Sequence, residues 1–422
     1  MGIAARHALS VVTRGAGTGL AGGAVPVDES IVVVTTQMNR IVSIEAEDRL
    51  AWVEPGVLNL DLNRALEPLG FHFAPDPSSQ QACTIGGNVA NNSGGPHCLS
   101  EGVTTAHVAA LEVVLPTGEV VMLGGADAEP DGLDLRGAFI GSEGTMGIAT
   151  RIAVRLTPNP TSVTTLLGIF DELDAAADAV SGIINAGLLP AALEMIDGPL
   201  AAVLEDYVSA GLPRDAAAVL LVELDGSVIS VADDTGRVIE VLTAGGAREV
   251  RVAQDDTQRQ LWWKARKSAF GAIARIRPDY YLHDTVVPRA SLTRVLREIR
   301  QRVEELGLEV YNVFHAGDGN LHPLVLFDAR EPGVMERVHE AGRAIVRISL
   351  AAGGVLSGEH GIGIEKRDHM GEMFEPEDLL AQDRLRHAFD PDRRANPDKV
   401  IPIGAGCGDH RQLAALPEGV WI

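Results

Sequence analysis

Cysteine is nearly absent from this chain of 422 residues, which contains only Cys83, Cys98 and Cys407 and no CxxC spacing. An odd, scattered set of thiols excludes a disulfide framework and a zinc knuckle and favours a reducing compartment. We therefore expect a cytoplasmic protein, with any attachment to the inner face of the membrane made through partner subunits. Aromatic residues are only 4% of the chain, which argues against a surface that stacks bases or sugars.

Positive charge is also scarce, because 35 Lys and Arg residues face 58 Asp and Glu residues and leave a formal net charge of -23. Such a surface repels a phosphate backbone and an anionic membrane, which argues against nucleic acid as a partner. No apolar run reaches the roughly 20 residues that a membrane helix needs. Arg6 and His7 stand where a signal peptide would have its apolar core.

The length of the chain, and the change to longer predicted helices in its second part, predict two domains. Pro158-Asn159-Pro160 is the best boundary signal, since two prolines around Asn stop any regular element. We expect a first domain at 1–158, a second domain at 159–403 and a tail at 404–422. Short β-branched runs and amphipathic helices follow one another in the second domain, which predicts an α+β fold with an antiparallel sheet.

The elements expected in both domains come from periodicity and turn signals. Buried strands are predicted at 10–14 and 30–36, hairpins at 40–54 and 109–123, and further strands at 166–170, 218–226 and 310–317. Helices are predicted at 58–70, 171–186, 231–244, 290–306 and 376–389.

A glycine-rich loop follows the first predicted strand, with five glycines between Arg14 and Gly23. Glycine permits the positive-φ turns that aim successive N–H groups into a nest for an anion such as a phosphate. The loop is not a Walker motif, because no Gly-Lys-Ser/Thr follows. The alternative is a flexible turn between strands.

Two further segments are also rich in small and polar residues. They are DPSS with TIGGNVANNSGG over 76–95, and GSEGTMGI over 141–148, and both look too polar for a packed core. In order and spacing, the three segments resemble the FAD-binding domain of the vanillyl-alcohol oxidase (PCMH) superfamily, which would make 1–158 an FAD-binding domain. The resemblance implies that FAD contacts come from Arg14, Gly15, Ala16, Gly17, Thr18, Gly19, Ser78, Ser79, Gly86, Gly87, Asn88, Asn91, Asn92, Ser93, Gly94, Glu143, Gly144 and Ile148. It also implies non-covalent FAD; some relatives attach the flavin covalently through a histidine, and His97 is the only nearby candidate for such a link.

Two histidines, His315 and His322, surround a turn of Gly, Asp and Asn. If the ends pair as a hairpin, directly opposed side chains are roughly 4.5–5.5 Å apart at Cβ, close enough to share one metal ion. In the segment 357–363, Glu359 would complete a two-histidine, one-carboxylate site for a divalent ion such as zinc, manganese or iron. The adjacent His360 would then face the substrate as a base. The alternative is that these histidines only satisfy hydrogen bonds in glycine-rich turns.

These motifs, HAGDGNLH and GEHG, with LWWKARK over 261–267 and Asp284, resemble the FAD-linked subunits of bacterial glycolate oxidase over about residues 8–403. D-lactate and D-2-hydroxyglutarate dehydrogenases are more distant members. The resemblance implies that His315, His322 and Glu359 bind the metal, that His360 is the base and that Arg266 holds the substrate carboxylate. Arginine suits that task because a guanidinium binds a carboxylate through two parallel hydrogen bonds.

The chain departs from the family in two places. Leu282 stands where the hydroxyglutarate enzymes have lysine, which favours a short monocarboxylate. The family also has a strand, a helix and a strand ahead of the glycine-rich loop, and this chain begins partway through them. Either the start codon is misplaced or the FAD-binding domain is incomplete relative to the family; we expect the former, with the true N-terminus upstream of Met1.

The expected function is FAD-dependent oxidation of glycolate or D-lactate to the 2-oxo acid. The resemblance implies a second FAD-domain subunit and an iron–sulfur subunit as partners. One alternative is a metallohydrolase that uses the His/Glu site, and another is a non-catalytic subunit that keeps the flavin fold. The sequence does not specify the acceptor, the metal or the oligomeric state.

Overall fold

A computed structural model describes residues 1–27, 29–125 and 132–402. Cys407 and the predicted tail lie outside these residues. The chain divides into two compact units. Unit 1 comprises Met1–Gly95, Glu101–Asn159 and the described residues from Glu359 onward, and unit 2 comprises Pro96–Ser100 and Pro160–Gly358. The chain thus passes from one unit to the other between Asn159 and Pro160, and residues 359–402 group with unit 1.

The described residues contain eighteen strands. They are β1 Ser10–Arg14, β2 Ser30–Val34, β3 Ile41–Glu45, β4 Leu50–Val53, β5 Phe71–His72, β6 Val108–Val114, β7 Val120–Gly124, β8 Ile148–Arg155, β9 Thr157–Pro158, β10 Ser162–Phe170, β11 Ala192–Asp197, β12 Ala218–Gly226, β13 Glu249–Val252, β14 Asp279–Leu282, β15 Thr285–Val286, β16 Glu309–His315, β17 Asn320–Leu321 and β18 Pro323–Phe327.

Fourteen α-helices are present in the same residues. They are α1 Gly2–Arg6, α2 Asn59–Leu66, α3 Ile85–Asn91, α4 Cys98–Glu101, α5 Leu135–Phe139, α6 Leu173–Asn185, α7 Gly198–Val208, α8 Val228–Ala244, α9 Asp256–Lys267, α10 Ala269–Ile273, α11 Leu292–Glu305, α12 Val334–Ala351, α13 Met370–Met373 and α14 Pro376–Phe389.

Unit 1 is built on a five-stranded antiparallel sheet in the order β3-β4-β8-β6-β7. Its apolar face packs against α2, α3 and α5 in one core that includes Leu62, Ile85, Leu111, Phe139 and Ile152. A second, parallel pair is formed by β1 and β2. The glycine-rich loop lies between these two strands, so it connects neighbours in one small sheet.

Unit 2 is a three-layer structure. Its antiparallel sheet runs β13-β10-β12-β11-β16-β17-β15, and β18 pairs with both β16 and β14. Strand β12 shows why both faces are covered: Leu220 and Val222 belong to one core cluster, while Val219 and Leu221 belong to the other. Side chains alternate between faces along a strand, and helices α6, α8, α11 and α12 cover one face while α7, α9 and α10 cover the other.

The predicted α+β fold is confirmed. Strands β1 and β12 and helix α14 have the predicted bounds, and the other predicted strands, hairpins and helices are present with end shifts of a few residues. Helix α2 continues as a 3-10 turn to Gly70, which has a left-handed φ of 78° and ends it as expected.

Two details of the prediction were wrong. Strand β2 ends at Val34 and is not buried, since Ile31, Val32 and Val34 are 39%, 38% and 44% exposed. Its valine-rich pattern is typical of a parallel strand covered on both faces, yet β1 is its partner in a two-stranded sheet. The segment 85–91 is not too polar for a core, because it forms α3 and buries Ile85 and Val89.

Candidate active site

The three glycine-rich and polar segments of unit 1 come together around the first loop. A Cβ atom at Gly15 would lie 2.6 Å from the Thr84 hydroxyl oxygen, and one at Gly19 would lie 3.5 Å from the Asn91 side-chain nitrogen. At the end of the loop, a Cβ atom at Gly23 would lie 3.2 Å from Glu143 Oε2. The loop therefore lies against both other segments, and a residue larger than glycine at position 15 would collide with Thr84.

Helix α3 begins beside this loop because Thr84 caps it, with the hydroxyl accepting from Gly87 N at 3.2 Å. Two predicted FAD contacts in and beside this helix, Asn88 and Asn92, also bind protein groups through their side chains. Asn88 is buried and accepts from Asn59 Nδ2 at 3.1 Å. Asn92 ends the helix in the left-handed region and accepts from the Thr105 N–H and hydroxyl at 2.8 and 2.7 Å.

The remaining predicted FAD contacts lie within the same three segments of unit 1. Ser78 and Ser79 lie in the turn that precedes α3, Ser93 accepts through its carbonyl from both donors of Thr104, and Ile148 begins β8 as a buried residue. Gly94, Gly144 and the residues Ala16 to Thr18 lie in non-helical loops of the same unit.

Glu143 joins the third segment to the GEHGIG loop. Its two carboxylate oxygens accept from Ile362 N at 2.7 Å and from Gly363 N at 2.8 Å. Burial raises the pKa of the Glu143 carboxyl to about 7, although these two N–H donors and the charges of Lys366 and Lys399 act in the opposite direction. Both oxygens are engaged, so the side chain fixes the loop that carries His360.

His360 is held from a second side through its backbone. Asn91 Nδ2 donates to the His360 carbonyl oxygen at 2.9 Å. The imidazole is 14% exposed, and its Nε2 is 3.9 Å from Glu359 Oε1. The predicted base therefore lies on a loop that the predicted FAD-binding segments position.

In unit 2, the two histidines of the HAGDGNLH turn are close together. The rings of His315 and His322 are edge to face, with centroids 5.1 Å apart, and both residues are buried. The hairpin exists, but the residue paired with His315 is Asn320, not His322. His322 follows β17 directly, and the proximity of the rings comes from the bend between β17 and β18.

Glu194 connects the predicted arginine to the first histidine. Arg266 donates from Nε to Glu194 Oε2 at 2.7 Å, its Nη2 is in ion-pair contact with the same oxygen at 2.5 Å, and His315 Nδ1 is 2.6 Å from Glu194 Oε1. The three side chains are almost completely buried. Burial would raise the pKa of the Glu194 carboxyl, but the charges and hydrogen bonds of Arg266 and His315 hold it below its ordinary value.

Asp284 lies near His322 in the way that Glu194 lies near His315. Its Oδ1 is 3.6 Å from His322 Nε2, and its carboxylate accepts from the Ser357 hydroxyl at 2.5 Å and from Gly358 N at 3.1 Å. Glu359 is the next residue after Gly358, so Asp284 fixes the peptide that leads into the predicted third ligand.

A buried acidic network that the sequence analysis missed extends along the same sheet face. Glu223 of β12 accepts from Thr165 at 2.6 Å and from Trp263 Nε1 at 2.5 Å, and His97 Nε2 is 3.4 Å away. Burial acts to raise the pKa of Glu223, yet these hydrogen bonds hold it below the ordinary value. Trp263 and Arg266 are one turn apart on α9, so this helix supplies a donor to each of two carboxylates on adjacent strands.

A signal for both missed residues is present in the sequence. Glu194 and Glu223 each interrupt an otherwise apolar strand, ALEMID and AVLLVELDG. Acidic residues are almost never fully buried unless they are paired, so each predicts a buried cation or donor opposite.

His97 packs within unit 2. Its ring stacks on Trp263 with centroids 5.9 Å apart, and its Nε2 faces Glu223 as described.

Among the described residues, no helix is long and apolar enough to cross a membrane.

Comparison with known proteins places both units in characterised families. The model of the FAD binding domain matches residues 1–124, and that of the C-terminal domain of FAD linked oxidases matches 159–400. The glycolate oxidase subunit GlcD of Escherichia coli strain K12 is 45% identical over 404 residues, which are 96% of this chain and 81% of that protein. D-lactate dehydrogenase of Anaerostipes hadrus is 32% identical over 93% of this chain and 84% of its own length.

Solved structures share the fold at much lower identity. The 4-ethylphenol oxidase of Gulosibacter chungangensis superposes with a TM-score of 0.76 at 16% identity, covering 95% of this chain and 86% of that one. The predicted FAD-binding fold of the vanillyl-alcohol oxidase type is thereby confirmed. With both family models matched in order and nearly the whole chain aligned to the bacterial relative, the chain belongs to the family of FAD-linked oxidases.

Proposed function

We propose that this enzyme oxidises a short 2-hydroxy acid, glycolate or D-lactate, to the corresponding 2-oxo acid. The observation that carries the substrate class is the similarity over nearly the whole chain to a glycolate oxidase subunit. The buried His315–His322 pair, held by acidic residues, supports the same chemistry.

The residues fit both groups that the reaction needs. Gly17 and Gly22 of the first loop have positive φ values of 75° and 73°, the backbone conformation that aims N–H groups at an anion such as a phosphate of non-covalent FAD. His315 and His322 are both buried, and with the Glu359 carboxylate they would supply a donor set that suits zinc, manganese or iron. FAD held by this loop would supply a hydride acceptor for the substrate C2–H, and a divalent ion held by the three ligands would supply a positive charge that lowers the pKa of the substrate hydroxyl.

The protein side chains have separate tasks. His360 accepts the hydroxyl proton on its imidazole, on a loop fixed by Glu143 and Asn91. Arg266 binds the substrate carboxylate through the part of its guanidinium that Glu194 does not engage. His315, His322 and Glu359 hold the ion.

The environment of Leu282 supports a short substrate. It is 8% exposed and belongs to the apolar cluster of unit 2 that includes Trp262 and Leu324. This position offers no charge for a second carboxylate, so a dicarboxylic acid is disfavoured.

The electrons taken from the substrate leave through partner subunits, a second FAD-domain subunit and an iron–sulfur subunit. With three cysteines the chain has no iron–sulfur pattern of its own. The name of the bacterial relative, a subunit, supports this arrangement.

The test is anaerobic flavin reduction by the full chain reconstituted with FAD and zinc. Glycolate, D-lactate, L-lactate and D-2-hydroxyglutarate are added separately, and the visible flavin absorbance is followed. Bleaching by glycolate or D-lactate is expected, and His360→Gln should keep its flavin but reduce it roughly 100-fold or more slowly. A flavin that none of the acids reduces contradicts the proposal, and a protein that binds zinc but no FAD favours the metallohydrolase.

A further inference from the structure

We infer that Glu194 is a positioning residue for the metal site, because one carboxylate holds both His315 and Arg266. This inference rests on the metal site of the proposed function. It concerns a residue that neither the motifs nor the family models single out.

The first step concerns the proton on His315. An ionised carboxylate only accepts hydrogen bonds, and the Arg266 guanidinium lies against the other oxygen of Glu194 as its buried counter-charge. His315 Nδ1, at 2.6 Å from Glu194 Oε1, therefore carries the hydrogen. In the neutral ring, this leaves the lone pair of Nε2 available to a metal ion.

The second step concerns rigidity. Glu194 lies at the middle of β11 and pairs in register with His315 of β16, so neighbouring backbones set the distance between the two side chains. Arg266 of α9 engages Oε2 through a hydrogen bond from Nε and an ion-pair contact of Nη2. Since Oε2 is engaged by the arginine, the carboxylate cannot rotate away from the imidazole without breaking a buried ion pair.

The third step is the effect on the ligand. A carboxylate that accepts from a metal-binding histidine fixes the ring and raises its basicity, and loss of such a partner typically weakens metal binding 10- to 100-fold. Glu194 therefore increases metal affinity without touching the ion. It also couples the site to Arg266, since both depend on one side chain.

Glu223 provides a matched control. It is a buried acidic residue on the adjacent strand, it faces the same core cluster, and it accepts from Trp263 on the same helix. It contacts neither His315 nor Arg266 in any hydrogen bond that the structure shows among the described residues. Replacing it removes the same charge from the same sheet face.

The experiment measures zinc affinity by chelator competition, together with flavin content, for the full FAD-loaded chain and its variants. Glu194→Gln should bind zinc 10- to 100-fold more weakly than wild type, while Glu223→Gln binds within about threefold and both keep their flavin. Because Glu194→Gln leaves Arg266 buried without its counter-charge, Glu194→Asp serves as a second variant. It keeps the charge, but its shorter side chain cannot reach both partners, and it should also lose about tenfold in affinity.

Equal zinc affinity in Glu194→Asp and wild type overturns the inference alone, and so does an equal loss in Glu223→Gln. A wild-type protein that binds no zinc overturns it together with the metal part of the proposed function. Flavin reduction by glycolate, measured on the same samples, then shows separately whether the oxidase activity stands.

Discussion

Asn91 donates a 2.9 Å hydrogen bond to the carbonyl oxygen of His360, a residue 269 positions further along the chain. This bond links the end of α3 to the loop that carries the proposed base. A predicted FAD contact therefore acts on the catalytic loop through its side chain.

The first prediction tests this link with Asn91→Ala. Loss of the hydrogen bond should cost about 1 kcal/mol of unfolding free energy. Turnover should fall roughly 10- to 100-fold, since a small displacement of a catalytic group is costly, while the flavin content stays near that of wild type. Steady-state kinetics and the absorbance ratio of flavin to protein give both readouts.

Asn63→Ala is the control, because Asn63 Oδ1 accepts from Phe73 N at 2.7 Å elsewhere in unit 1. A similar loss of stability with normal turnover is expected. If Asn91→Ala instead loses flavin in proportion to activity, Asn91 acts on the cofactor and not on the loop.

The second prediction concerns the far end of the same loop. Gly363 has a φ of +52°, and a Cβ atom there would lie 1.8 Å from the Ala21 carbonyl oxygen. Gly363→Ala should displace the loop, lower the unfolding free energy by roughly 1–3 kcal/mol and abolish most activity. Gly371→Ala is the matched control, since no atom lies within 4 Å of the added group and alanine favours helix α13. Equal thermal stability of the two variants contradicts the prediction.

Local patterns in the sequence predicted the elements that depend on near neighbours. Strand β12 and helix α14 have their predicted bounds because hydrophobic periodicity and flanking turn residues act within a few positions. Helix α3 was missed because Gly86, Gly87 and the asparagines around them have low helix propensity. It forms because Thr84 caps it and the core buries its apolar residues.

Only the site residues that belong to local sequence motifs could be predicted. His315 and His322 share one turn, so their proximity follows from local sequence. Glu194 is 121 residues from His315 and 72 residues from Arg266, and only the pairing of β11 with β16 and the packing of α9 bring the three together. The exposure of β2 was missed for the same kind of reason, since burial depends on what covers a strand.

The third prediction concerns the buried ion pair of Arg266 and Glu194, whose side chains are 3% and 0% exposed. Arg266→Met should lower the unfolding free energy by roughly 3–5 kcal/mol, because breaking a buried pair leaves an uncompensated charge. The double variant Arg266→Met with Glu194→Gln should be less destabilised, since both charges are gone. Urea denaturation of each variant measures these differences.

Arg214→Met serves as the control, because Arg214 pairs with Asp206 where both side chains are more than half exposed. Its effect should stay within about 1 kcal/mol. If the Arg266→Met protein is as stable as wild type, then either the Glu194 carboxyl is protonated in the folded protein or His315 fully compensates its negative charge.

The fourth prediction is a pH dependence that comes from Asp197. This fully buried carboxylate caps α7 by accepting from Leu200 N at 3.0 Å, and it also accepts from Asn312 N and Nδ2 at 2.7 and 3.1 Å. Burial raises its pKa from 3.8 to about 6, against these donors and Arg300. The folded state thus holds a proton that the unfolded chain has already released between about pH 4 and 6.

The contribution of Asp197 to the unfolding free energy is therefore fully present below about pH 4 and is lost as the pH rises through about 6. The total loss is about 3 kcal/mol, because each pKa unit corresponds to about 1.4 kcal/mol. Asp197→Asn has no proton to release, so the unfolding free energy of wild type should fall relative to that of the variant between about pH 4 and 6.5 and change little above that range. Asn312→Ala removes a donor to the ionised form, which raises the pKa further and should steepen the dependence. Urea unfolding of the three proteins across this range tests the direction of the change. If the unfolding free energy of wild type instead rises with pH relative to that of Asp197→Asn, then Arg300 and the N–H donors outweigh burial in setting the pKa of Asp197.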